Sequence, residues 1–154
     1  MKFNTFILAI SVLVIQVFNT QGQDTFDFKV SAIQSLITSK KWNCTDVVKY
    51  FLDRTVRYNP NVNAIISLNP KAMQKAVELD NYFFKNNKLS GKLHCIPIIV
   101  KDNIDVAGVP TTAGVNALRN SVPNKNALVV DRLAAEGAIF ISKGNLKKQN
   151  KILT

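Results

Sequence analysis

Ile96-Pro97-Ile98-Ile99-Val100-Lys101-Asp102-Asn103 is the stretch on which the fold turns. Its opening is a nearly continuous β-branched run, the composition of a strand covered on both faces. Pro97 cannot donate to a hydrogen-bond ladder, which demotes the start of that strand. Further along, Ala138-Ile139-Phe140-Ile141 is a second apolar strand. Residues 127–136 between them have helical character, and Gly137 supplies a left-handed stop. Strand, crossover helix and strand imply a right-handed parallel unit.

Upstream the character is helical. Val30, Ile33, Leu36 and Ile37 share one helical face, so residues 28–39 read as a helix ending at Lys40-Lys41-Trp42. Thr45 is a good N-cap and Asp46 favours the positive end of the helix dipole. The stripe Val47, Val48, Phe51, Leu52 then runs to about Arg57, and Asn59-Pro60 stops it. Residues 64–68 are a short apolar stretch with strand character. Asn69-Pro70 reads as an N-cap followed by proline at the first helical position, opening a helix into Asn86-Asn87. The class is therefore α/β, with N-terminal helices leading into the first strands of a mixed sheet.

The chain has 154 residues, enough for one domain. Apolar residues make up 47%, too many for a disordered tail. Two cysteines exclude a four-thiolate zinc site, and one histidine excludes a His-rich metal site. No cofactor or metal is expected. The net charge of +10 favours acidic partners. The basic residues are dispersed, however, and their one cluster, Lys143, Lys147, Lys148 and Lys151, reads as a solvated tail. No nucleic-acid partner is expected.

Residues 1–22 read as a secretory signal peptide: Lys2, then the apolar run Phe-Ile-Leu-Ala-Ile-Ser-Val-Leu-Val-Ile-Gln-Val over residues 6–17, then a polar stretch ending at Gly22. The run is too short for a stable membrane span. Residues 23–145 form the body and 146–154 a divergent basic tail. Export implies an extracellular location and makes Asn43-Cys44-Thr45 an acceptor for N-glycosylation at Asn43. Export would also let Cys44 and Cys95 oxidise, but the simpler expectation is two separate buried thiols.

Lys101 ends the buried strand at the place where open α/β sheets put their sites. The simpler reading is a surface lysine closing the strand, its stem over apolar neighbours. The chemical reading is a general base whose pKa apolar surroundings lower. Asp102, on the opposite strand face, is expected to pin the following loop through backbone donors rather than to pair with Lys101. His94 reads as a satisfied structural histidine, because no serine or cysteine stands at a nucleophile elbow. Gly108-Val109-Pro110-Thr111-Thr112-Ala113-Gly114 is turn-forming and lacks a phosphate-loop pattern.

Taken together, residues 93–104 and 108–114 resemble the N-terminal portion of the amidase signature family. The likeness continues through residues 127–133, Glu136-Gly137-Ala138 and Lys143-Gly144-Asn145. It also takes in residues 50–54 and Asn63-Ala64-Ile65, and so covers about residues 28–145. Two departures stand out: Cys95 occupies the position of the usual glycine, and Asn126 that of the usual aspartate.

The resemblance implies a carbon–nitrogen amide hydrolase that uses a lysine and two serines. The lysine is the base, one serine the nucleophile, and the other relays the proton. By motif match Lys101 is that lysine. The serines and oxyanion donors would come from a Gly-Ser-rich segment downstream, which residues 146–154 do not supply. The expected partner is a small amide substrate if the full domain exists. Three readings stay open. The chain is the Lys-bearing part of a secreted amidase, inactive alone; or a short secreted non-catalytic binding or regulatory module built on the amidase fold; or, least supported, a binder of anionic polymers.

Overall fold

The computed structural model describes residues 29–146, so the signal-peptide reading of residues 1–22 and nearly all of the basic tail lie outside it. In chain order the elements are α1 (Val30–Thr38), α2 (Cys44–Val62), β1 (Ile65–Leu68), α3 (Ala72–Asn86), β2 (Pro97–Lys101), a short 3₁₀ turn (Asn116–Leu118), α4 (Leu128–Ala135) and β3 (Ile139–Gly144). The strands form one sheet in the order β1-β3-β2. β2 runs parallel to β3 and β1 antiparallel to it, so the sheet is mixed.

β3 is the central strand, and its alternation divides the core. Ile139 and Ile141 face a layer made by α1, α2 and α3, where Ile33, Ile37, Val47, Val48, Ala76 and Leu79 are buried. Phe140 faces the other way, packing with Val100, Val106, Val109 and Val130 beneath α4 and the loop after β2. The sheet is thus covered on both sides, as an α/β architecture requires. β2 lies at an edge, consistent with Pro97. Burial on both of its faces is incomplete, since Ile99 is 51% exposed.

Between β2 and β3 the register slips: Ile98 pairs with Phe140, but Ile99 pairs with Ser142. β3 therefore carries one extra residue. A bulge breaks the two-residue period and re-aims the side chains beyond it. Lys143, now opposite Val100, is turned toward the face that Val100 and Phe140 share.

Several sequence expectations shift at element ends. Asn43, not Thr45, caps α2: its Oδ1 accepts the Asp46 N–H at 2.7 Å, and the Asp46 carboxylate accepts the Asn43 N–H at 3.0 Å. This reciprocal box satisfies two donors at once, which a Thr45 cap could not. Pro60 does not stop α2 but lies inside its last turn, where little of the hydrogen-bond ladder remains to be lost. The helix ends at Asn63, in the left-handed region at φ 48°. Pro70 belongs to a turn before α3 rather than to its first position, because Lys71 is the capping residue. Asn69 anchors that turn: its backbone N–H donates to Ile141 O and its side chain to Phe140 O.

Candidate active site

Lys101, the last residue of β2, is opposite Gly144 of β3. The chain turns sharply after it, the Ile104 N–H donating to Lys101 O at 3.0 Å. The loop over residues 108–114 then folds back over the carboxyl ends of both parallel strands. One main-chain bond holds it there, Ala113 N–H to Asp102 O at 3.1 Å, and Asp102 is itself tied to β3 by its N–H to Gly144 O at 3.0 Å. An open cleft of about 730 Å³ runs along this loop, lined by Pro110, Thr112, Gly114, Asn63, Asn145 and Leu146. Lys101 is exposed at this end of the sheet.

Lys101 is thus a surface lysine closing its strand, as the simpler reading has it, and the buried lysine at this end of the sheet is Lys143. Its Nζ donates to Thr111 Oγ1 at 2.7 Å and to Pro110 O at 3.3 Å, and is 3.6 Å from Asp102 Oδ1. Burial pushes the Lys143 ammonium below its ordinary pKa, while the charge and hydrogen bond of Asp102 work against that shift. Asp102 does pin the loop: its carboxylate accepts the Thr112 N–H and the Thr112 hydroxyl. The two lysines face opposite ways. Lys101 alternates with Val100 and so points to the face opposite Lys143. Sequence alone groups Lys143 with the solvated basic cluster. That reading fails because the lysine is inside the β3 ladder, its side chain 1% exposed.

The second departure from expectation is at the cysteines. Cys44 and Cys95 are not separate thiols but form a disulfide, with Cα atoms 5.1 Å apart. The bond ties the first residue of α2 to the turn that launches β2. Cys95 is in the left-handed region at φ 63°, the conformation that suits a glycine there. Holding a side chain there costs about 1–2 kcal/mol. Closing a chain separation of 51 residues offsets it, contributing about 4 kcal/mol on the chain-entropy account.

His94, fully buried beside this bond, is a satisfied histidine, as expected. Its Nδ1 accepts the Ser90 N–H at 3.1 Å and is 2.8 Å from Ser90 Oγ. Burial pushes its pKa down, with the Asp80 charge acting in the opposite direction. The turn before it abuts the end of α4. Cys95 N–H donates to Gly137 O, and a Cβ on Gly137 would come 2.8 Å from the His94 Cα. Asn43 is exposed beside the disulfide. Its Oδ1 is engaged in the α2 cap.

A parallel strand pair with a lysine at its carboxyl end, overlaid by a Thr-Thr-Ala-Gly loop, defines an α/β protein whose candidate site is at the end of the sheet where such folds bind ligands. The family model described as Amidase matches residues 46–153. The chain belongs to the amidase family. It is 32% identical over 124 residues to a glutamyl-tRNA(Gln) amidotransferase subunit of Thermoanaerobacter pseudethanolicus, covering 80% of this chain and 25% of that protein. It is also 32% identical over 110 residues to the acylamidase of Rhodococcus erythropolis, covering 71% of this chain and 23% of that one. The solved peptide amidase of Stenotrophomonas maltophilia superposes with a TM-score of 0.72 at 35% identity, over 77% of this chain and 24% of that structure. The chain thus spans about a quarter of the length of these relatives. Among the described residues, no helix is long and apolar enough to cross a membrane.

Proposed function

We propose that this chain is the lysine-bearing part of an amide hydrolase, with Lys101 as its general base. One observation supports the reading: Lys101, the lysine of the Pro-Ile-Ile-Val-Lys-Asp-Asn stretch that resembles the family's motif, is the last residue of β2 and is exposed at the strand's carboxyl end. A base at this end can take a proton from a nucleophile that meets the sheet from outside. Asp102 and Lys143 hold the loop that borders the cleft. The two serines and the oxyanion donors belong to a downstream Gly-Ser-rich segment. The 154 residues alone do not hydrolyse amides, because a lone base lacks both the covalent step and the electrostatic stabilisation of the oxyanion.

A chimera tests this. Residues 29–146 replace the matching quarter of the Stenotrophomonas maltophilia peptide amidase. Amide turnover is expected in the chimera and is lost by at least about 10³-fold with Lys101→Met, on the scale of a missing general base. Turnover that survives Lys101→Met, or turnover by the 154-residue chain alone, overturns the assignment.

The protein is further proposed to be exported after cleavage near Gly22, with a glycan on Asn43. A disulfide at Cys44–Cys95 suits an oxidising compartment. A glycan on Nδ2 leaves Oδ1 free to keep its bond to the Asp46 N–H. Secreted protein is expected to begin near Gln23 on N-terminal sequencing and to lose mass on endoglycosidase treatment. Product retained in a secretion-competent host with Met1 intact would sink the proposal.

A further inference from the structure

Cys44, His94 and Cys95 converge within 4.8 Å of one another, and all three are fully buried. Amide hydrolysis gives this cluster no role. Two uses are chemically open to it: two sulfurs and an imidazole can bind a soft cation, or a histidine beside a disulfide can assist thiol exchange.

The tautomer of His94 decides between them. The Ser90 backbone N–H can only donate, and it is 3.1 Å from Nδ1. Nδ1 must therefore accept, which puts the ring proton on Nε2. Nε2 is 3.6 Å from Cys44 Sγ. The nitrogen facing the sulfur thus presents an N–H, not the lone pair that a metal needs. An N–H aimed at one sulfur of a disulfide favours negative charge on that sulfur. Cys44 is also the first residue of α2, where the helix dipole favours an anion. The Asp80 carboxylate, which accepts the Cys44 N–H at 2.6 Å and the Thr45 N–H at 3.1 Å, offsets part of that dipole. The histidine N–H is therefore the decisive group. Cys95 has no such support.

We propose that Cys44–Cys95 is a polarised thiol–disulfide exchange site for small thiols, with Cys95 the sulfur attacked and Cys44 the sulfur released. A thiolate of the glutathione class attacks Cys95 Sγ. A new sulfur–sulfur bond forms there, the Cys44–Cys95 bond breaks, and its electron pair leaves as the Cys44 thiolate, held by His94 Nε2–H. A second thiolate then attacks the sulfur of the mixed disulfide. Cys95 leaves as a thiolate, the thiol pair is oxidised to its disulfide, and the protein is reduced by two electrons. Both sulfurs are closed off from solvent, so exchange proceeds through local opening of the turn that carries Cys95. The proposal does not depend on amide hydrolysis.

The experiment uses the full chain, purified without reductant and incubated with reduced glutathione. Samples are quenched early with iodoacetamide and mapped by peptide mass spectrometry. Glutathione is expected on Cys95 and the alkyl group on Cys44, with at least about a tenfold bias. His94→Leu should slow the exchange about tenfold, while His94→Gln, which restores an N–H donor, should recover part of the rate. Equal labelling of the two sulfurs, glutathione on Cys44, or a bond that excess glutathione leaves intact would each overturn the proposal. The wild-type map alone can do so, even if a His94 variant fails to fold. A cadmium–thiolate absorption band in the reduced chain that is lost in His94→Leu would instead make this a metal site.

Discussion

Lys143 Nζ is 3.6 Å from Asp102 Oδ1, both side chains are sealed from solvent, and together they close the carboxyl end of the parallel strands. The pair joins two elements far apart in sequence. β3 supplies the cation, the residue just after β2 supplies the anion, and the loop carrying Thr111 and Thr112 is bonded to both. The loop is thereby held in one place beside the cleft.

Removing one partner of this pair should cost more than the pair itself contributes. Lys143→Met leaves the Asp102 carboxylate buried without its cation, a change that typically costs about 3–5 kcal/mol. Asp102 keeps its Thr112 donors, so the lower end of that range is expected. Adding Asp102→Asn to Lys143→Met removes the orphaned charge and should restore part of the loss. Urea unfolding of the three variants in the peptide amidase chimera, where the sheet has its remaining neighbours, checks this. A Lys143→Met variant as stable as the parent would contradict the buried pair.

Much of this arrangement is legible in the residues. The apolar runs before Lys101 and after Gly137 mark β2 and β3, because strands in a covered sheet need little else. The stripes of α1, α2 and α3 are equally plain. Lys143 is not legible, for a physical reason: its inward aim depends on a one-residue bulge at Ile141, and register slips leave no periodic trace. Its charge makes it look like tail. The nearest signal is its position, two residues past the apolar run Ala138-Ile139-Phe140-Ile141 and just before Gly144. The disulfide is hidden for a similar reason. Nothing local brings Cys44 toward Cys95. The tertiary packing of α2 against the turn before β2 does so, and the one hint is a cysteine standing where a glycine is usual.

His94 should make the protein sensitive to mild acid. Its folded pKa is below the ordinary value of 6.5, with burial the main cause and Asp80 opposing it. As pH falls through 6.5, the unfolded chain takes up a proton that the folded chain refuses. Stability is therefore present above that pH and declines below it, by up to about 1.4 kcal/mol per pH unit. Denaturant unfolding of the peptide amidase chimera at pH 7.5 and 5.5 should show this loss, and His94→Gln should reduce it. Identical pH dependence in parent and variant would show that other groups cause it.

The last expectation concerns whether this chain stands alone. A sheet reduced to its opening strands should leave Ile98, Ile99, Val100, Ile139, Phe140 and Ile141 short of neighbours, yet β3 is well covered, its first three residues being buried. The deficit falls on the flanking strands. β1 and β2 both lie at sheet edges, with Ile66, Leu68 and Ile99 about half exposed. Phe84 is 91% exposed and Leu128 66%. Fully burying each such side chain is worth about 1.5–3 kcal/mol, against a typical total stability of about 5–15 kcal/mol. Two open edges also offer unpaired backbone groups to other chains. The 154-residue chain alone should therefore associate or fold only in part, with α2 and α3 better ordered than β1 and β2. The disulfide reinforces that difference, since it holds α2 against the turn before β2 and leaves β1 untouched. Circular dichroism with analytical ultracentrifugation checks the expectation: helical signal is retained, unfolding is broad, and species larger than a monomer appear. A soluble monomer with one sharp unfolding transition would defeat it, and would favour a self-sufficient binding module over the lysine-bearing part of an amidase.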